Sequence, residues 1–359
     1  MNTISEIIFI QDLMSLPKSD LKDICTDLNL EDSGYKGDLA GRIYSSLNHS
    51  KKTKNDVLEN YKNKIFAGKT SLTWFKLNNM LSKEEFKNLI RENHSFDPFE
   101  TTSIPPLHEI STEPFLIGGS DGNNNNDVFL RFIHKSGVNE EPHVTEITTT
   151  PKTSLSTVYY HSDSGILELR GDSRKGETIA KIIARLLKQQ VSLERIETPF
   201  YHKIDDIANN LGGALIDAKS KPEMLLEDLD EDKIKAVANV LTALDNYFNT
   251  ENAEELETQL QQANNAFDDY KFTVPFSALI LSGMEEVGLS GEKEIRGLPL
   301  FDYLNPNLQH QNGYIRFNFV EDGFEKPFTI RVGMKSQSIY FSTRASEQVI
   351  AYVREQVII

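Results

Sequence analysis

Cysteine is almost missing from this chain. Cys25 is the one cysteine in 359 residues, which excludes an internal disulfide framework and reads as a protein of a reducing compartment. Long apolar runs are missing too, since none approaches the roughly 20 residues of a spanning helix. The opening MNTISEIIFIQDLM has no basic stretch and no small-residue cleavage site, so no secretory signal is expected. The eight histidines, His49, His94, His108, His134, His143, His161, His202 and His310, show no i,i+4 pair, and with no cysteine cluster beside them no zinc site is expected.

Positive charge is scarce as well. The net charge is −16, and it is unevenly spread. Residues 1–70 hold ten Lys/Arg and ten Asp/Glu, whereas residues 221–270 hold thirteen acids against three lysines. An acidic body repels phosphate backbones, so nucleic-acid contact is confined to a local basic surface, and only the neutral N-terminal part permits one.

What is present begins at Leu16–Ile43, LPKSDLKDICTDLNLEDSGYKGDLAGRI. Leu21, Ile24, Cys25 and Leu28 recur at helical spacing, as do Leu39 and Ile43, around an aperiodic connection that carries Leu30, Ser33 and Gly34. The order and spacing of Leu21-Lys22, Cys25, Leu28, Leu30, Ser33-Gly34, Lys36, Leu39 and Arg42-Ile43 resemble the SAP domain, a helix-extension-helix module of DNA-associated proteins. The resemblance covers about the first 48 residues. It implies weak DNA contact from the turn and the start of the second helix, through Ser33, Gly34 and Lys36, with Arg42 one helical face along. Lys51, Lys52 and Lys54, with Lys62 and Lys64 beyond them, extend that surface along one amphipathic helix or else lie on a solvated linker.

Ser82 opens a further helix with capping-box spacing to Glu85, and a Pro- and Asn-rich passage follows. Trp74, Phe75 and Leu77 beside Lys76 read first as a buried cluster packed on the linker helix, and second as a stacking platform for single strands. From Asp127 the apolar period changes to two. Val128–Ile133, His143–Thr149, Thr157–His161 and Ile166–Arg170 read as strands, with Ser162–Gly165 as a hairpin turn and a helix from about Asp172 to Leu187. Residues 200–270 read as an acidic helical hairpin. Tyr314–Phe319, Phe328–Val332 and Ser338–Phe341 then read as strands ahead of a last helix, an order that raises the idea of an internal duplication.

The expected architecture is therefore α+β and multidomain. A SAP-like module (1–48) leads into a helical, Pro/Asn-rich linker region (49–126). Two antiparallel sheets follow, each covered by a helix (127–199 and 271–359), with the acidic hairpin (200–270) between them.

Catalytic patterns are thin. Ala67-Gly68-Lys69-Thr70 mimics the end of a phosphate-binding loop, but Asn63 stands where that loop needs a glycine. Asp121, Asn123 and Asn125 have calcium-loop spacing, but Asn126 and Phe132 replace the turn glycine and the bidentate glutamate. Asp163 with Glu168 and Arg170 has the acidic outline of a metal-dependent nuclease. Arginine is a poor proton carrier, however, and on an alternating strand Glu168 and Arg170 read as an outward-facing pair.

The sequence thus predicts a non-enzymatic adaptor with no cofactor and no metal, whose SAP-like module tethers an α+β protein-binding body to DNA. It would be cytoplasmic, nucleoid-associated in a prokaryote or nuclear in a eukaryote. A nuclease-like component of DNA processing or defence is one alternative. A purely protein-binding module is another, favoured by the neutral balance of residues 1–70.

Overall fold

The computed structural model describes residues 3–48, 51–122, 126–188, 193–201, 203–222, 231–250, 253–267, 287–305 and 308–359. The fold is α+β, with helices against antiparallel strands. The chain forms two compact units. The first holds Met1–Tyr201, Asn318–Arg331 and Ser336–Ile359, and the second holds His202–Phe317 and Val332–Lys335.

In the first unit, β1 (Ser71–Lys76), β2 (Phe115–Asp121), β3 (Asp127–Pro142), β4 (Ile147–His161) and β5 (Ile166–Arg170) join β10 (Phe324–Gly333) and β11 (Ser338–Phe341) in the order β2-β3-β4-β5-β1-β11-β10, and the short β6 (Glu194–Arg195) pairs with β1. The turn between β4 and β5 closes where the Gly165 amide donates to the His161 carbonyl at 2.9 Å. Gly165 has φ +67°, and a Cβ there would lie 2.8 Å from Met80 Cγ. Both demands select glycine.

Strand alternation gives this sheet two different faces. Leu130, Phe132, Val158, Tyr160 and Leu167 form one core with α6 (Lys83–Asn93) and α7 (Gly176–Leu186). The α7 stripe Ile179, Ala180, Ile183 and Leu186 is buried there, as its 3.6-residue period requires. Ser82 caps α6, accepting from the Glu85 amide at 3.3 Å while Glu85 Oε2 accepts from the Ser82 amide at 2.8 Å.

Phe129 and Tyr159 face the other way, into a core with the N-terminal helices. These are α1 (Ile10–Leu13), α2 (Lys18–Asp27), α3 (Lys36–Leu47), α4 (Lys51–Leu58) and α5 (Lys62–Ile65). Leu21, Ile24, Cys25, Leu39 and Ile43 are all fully buried in it. The two-helix module therefore buries its apolar stripe on the sheet, where each large side chain removed from water contributes about 1.5–3 kcal/mol.

Two expectations are corrected. Residues 49–126 are not a helical linker: β1 and β2 lie within them, and β1 sits between β5 and β11. Because β1 pairs Leu72 with Ile339 on one side and with Arg170 on the other, the strands at 324–341 share a sheet with β3–β5 instead of forming a second one. Trp74 and Phe75 are buried within β1 and Leu77 is buried just beyond it, so these three form no stacking platform.

The second unit pairs β7 (Ala214–Pro222) with β8 (Val287–Ser290) and with the early part of β9 (Leu308–Glu321). It also holds the helices Glu231–Thr250 and Ala253–Phe267, which pack on each other as the acidic hairpin. Met224, Leu225 and Leu229, read as an earlier helical stretch, lie outside the described residues.

Candidate functional site

The outline Asp163–Glu168–Arg170 is taken apart by the fold. Pairing sets Glu168 opposite Trp74 on β1 and opposite Tyr159 on β4, so its side chain enters the core beneath the N-terminal helices. There the Trp74 indole donates to Glu168 Oε2 at 3.0 Å and Arg354 donates to the same oxygen at 2.9 Å. Arg170 Nε donates to Oε1 at 2.7 Å. Arg170 also pairs with Glu347 and donates to the Phe66 carbonyl at 3.3 Å. Burial opposes the charge on Glu168, yet Arg170 and Arg354 outweigh it and hold the carboxyl down at about 2.

Glu168 and Arg170 are therefore an interior pair rather than an outward-facing one, because the sequence pattern of β5 cannot reveal that helices cover its polar face. Asp163 is elsewhere, exposed on the β4–β5 turn, where it accepts from Asn126 Nδ2 at 2.9 Å. Among the described residues no group of three His, Cys, Asp or Glu side chains is arranged to hold a metal.

One motif goes unread in the sequence. Gly118-Gly119-Ser120-Asp121-Gly122 spells the Gly-x-Ser-x-Gly of a nucleophile elbow. That element needs a strand-to-helix turn with an exposed serine. Here Ser120 lies within β2, is 1% exposed and donates to the Asp121 carbonyl at 3.1 Å. No hydrolase site follows from it.

The residues expected to meet DNA separate into three groups. Some hold the connection together: Arg42 donates to the carbonyls of Glu31 at 2.8 Å and Ser33 at 2.6 Å, and the Ser33 hydroxyl donates to the Glu31 carboxylate. Asp38 Oδ2 accepts the Tyr35 amide at 2.8 Å, so the first turn of α3 already has an anion. Gly34, at φ +108°, has room for no side chain, since a Cβ would lie 2.9 Å from Asp38 Oδ2. Lys54 is withdrawn: it is 7% exposed, over the Tyr44 ring, and burial lowers its pKa against the pull of Glu6 and Asp12. It is no part of a phosphate-facing surface. The side chains of Lys51 and Lys52 lie outside the described residues.

Lys36 remains. It is half-buried, and burial followed by the neighbouring Arg344 lowers its pKa. Arg344 comes from the loop before the helix Glu347–Val357 and donates to the Ser15 carbonyl. Sequence reading missed it because it lies some three hundred residues from the module it adjoins.

A third feature is the outer half of the β3–β4 hairpin. β2 pairs with β3 only as far as Ile133, and β5 pairs with β4 only back to Thr157. The β3–β4 ladder nevertheless continues to Pro142↔Ile147, so these rungs form a two-stranded ribbon. It is closed by a turn in which the His143 amide donates to the Glu146 carbonyl at 2.7 Å. The run read as a strand at His143–Thr149 is thus partly this turn. Thr148 and Thr149 belong to one long strand that tolerates Pro151, because among the described residues no further strand pairs beside it there.

The register shifts between Lys135 and Gly137, and this bulge resets the alternation. Lys135, Val138, Glu140 and Pro142 consequently share a face with Thr153, Pro151, Thr149 and Ile147. Further in, that same face is covered: Leu155 packs with Phe9, and Gln11 donates to Thr153 Oγ1 at 3.1 Å. Beyond Thr153 that cover ends: Pro151 is half-buried, while Val138 is 45% and Ile147 65% exposed.

No helix among the described residues is long and apolar enough to cross a membrane. No protein-family model matches this chain, and no curated protein matches it either.

Proposed function

We propose that this protein is a non-enzymatic adaptor that engages a protein partner through the bare apolar face of the β3–β4 ribbon. One observation carries the reading: an exposed two-stranded ribbon whose Val138, Pro142, Ile147 and Pro151 share one uncovered face. A lone ribbon of this kind is marginally stable in water, and apolar groups presented together on one side favour a cover. Glu140 lies on this face between Val138 and Pro142 and suits a surface that presents positive charge. The test is photo-crosslinking in the producing cells from position 147, with position 148 on the polar face as control. A protein adduct from 147 that Val138→Asp abolishes is expected. Equal yields from 147 and 148 would sink the reading.

DNA tethering is the second reading, favoured by the proximity of Lys36 and Arg344 beside the exposed Ser33–Tyr35 turn. Two neighbouring cations are relieved by a phosphate between them. Because Arg42 holds the connection, the informative variant is Lys36→Glu with Arg344→Glu. In a salt series on the full chain it should lower the log–log slope by about 1 to 2. An unchanged slope would remove DNA from the proposal.

A further inference from the structure

The ribbon face has an order along its rungs that points to a particular occupant. From base to tip the rungs carry Lys135 with Thr153, Val138 with Pro151, Glu140 with Thr149, and Pro142 with Ile147. The bulge absorbs the extra residue, so successive rungs on this face are about 7 Å apart, two residues of antiparallel strand. A cation and an anion therefore flank the Val138–Pro151 rung at equal distances. A pattern of that kind is self-complementary about a two-fold axis.

Resting on the ribbon as a docking surface, we propose that its partner is a second copy of this chain. The two ribbons pack face to face and antiparallel about an axis through the Val138–Pro151 rung. Val138 then meets Val138 of the other copy, and Lys135 of each meets Glu140 of the other. Charge complementarity selects this occupant: the face that attracts apolar groups also supplies both members of the ion pair. Edge-to-edge association is disfavoured, since Pro142 and Pro151 lack the amide a neighbouring strand would need and Lys152 adds charge. The net charge of −16 makes two copies repel over distance, so the contact is weak and concentration-dependent.

Sedimentation equilibrium of the full chain across the micromolar range tests the proposal, with circular dichroism and melting to confirm that each variant is folded. A monomer–dimer equilibrium is expected. Val138→Asp should leave only monomer. Glu140→Lys and Lys135→Glu should each weaken the dimer by about tenfold, and the two together should restore it to within about threefold, as reciprocal charge pairs do. A monomer at every concentration, or a double variant as weak as the singles, overturns the second-copy inference. If the chain stays monomeric while the crosslink from position 147 to a different protein is lost in Val138→Asp, only this inference fails. If Val138→Asp alters neither measurement, the ribbon reading fails with it.

Discussion

The same two strands behave differently in their inner and outer halves. Between Asp127 and Ile133, β3 is covered on both faces, with Leu130 and Phe132 under α6 and α7 and Phe129 under the N-terminal helices. Beyond Gly137 the ladder is just as regular, yet among the described residues neither β2 nor β5 pairs beside it. The inner half holds charge in paired form, as with Arg131 on Asp12 at 2.6 Å, and so does the neighbouring strand β5, where Glu168 lies between Arg170 and Arg354. The outer half carries Glu140 and Glu141 without such compensation, because water solvates them. Backbone pairing is therefore common to both halves, and what distinguishes them is the layer laid on top. Stability should reside in the first half and partner choice in the second.

The largest effect that could break this contrast is at Glu168. Glu168→Gln leaves Arg170 and Arg354 facing a neutral amide in the interior, and it should cost about 3–5 kcal/mol in denaturant unfolding. A loss under 1 kcal/mol would mean that the inner face is wetter than its burial indicates. Next, Leu130→Ala should cost about 2–5 kcal/mol through cavity formation, against less than about 0.5 kcal/mol for Val138→Ala on the same strand. Comparable losses would erase the distinction between the halves.

Acid titration sharpens the same contrast. Burial lowers the pKa of His94 and His134 in the first unit, and both are neutral when folded near neutrality. The unfolded chain binds their protons more readily, so their contribution is fully present above the ordinary value of about 6.5 and is lost as pH falls toward the folded values. A melting temperature that declines below pH 6.5 is expected, with His134→Gln flattening the decline. The smallest effect is electrostatic and local: Lys36→Glu with Arg344→Glu should leave the melting temperature within about 2 °C, because half-exposed charges contribute little to stability.

Much of the local structure was legible because it follows from period and punctuation. The stripe of the C-terminal helix, Val349, Ile350, Val353 and Val357, is buried as its spacing requires, and Ser82–Glu85 caps where the residues indicate. Ser71–Lys76 was misread since its apolar residues are consecutive, the mark of a strand buried on both faces, which a short run shares with a buried helix. The ribbon was misread for the opposite reason. Its Thr, Glu and Asn residues carry little apolar period, and a bulge resets what period there is. Of the expected DNA-facing set, Arg42 and Lys54 have intramolecular partners that only the tertiary structure reveals: one donates to carbonyls nine and eleven residues away, the other to the Ile8 carbonyl.

By itself, then, the sequence determined the α+β class, most of its helix stripes, the acid excess and the lack of disulfides, all properties of near neighbours in the chain or of composition. Which charges are interior, which cations lie together and which apolar face stays bare were decided only by tertiary structure. Burial depends on what a distant segment lays over a residue, and no local pattern encodes that.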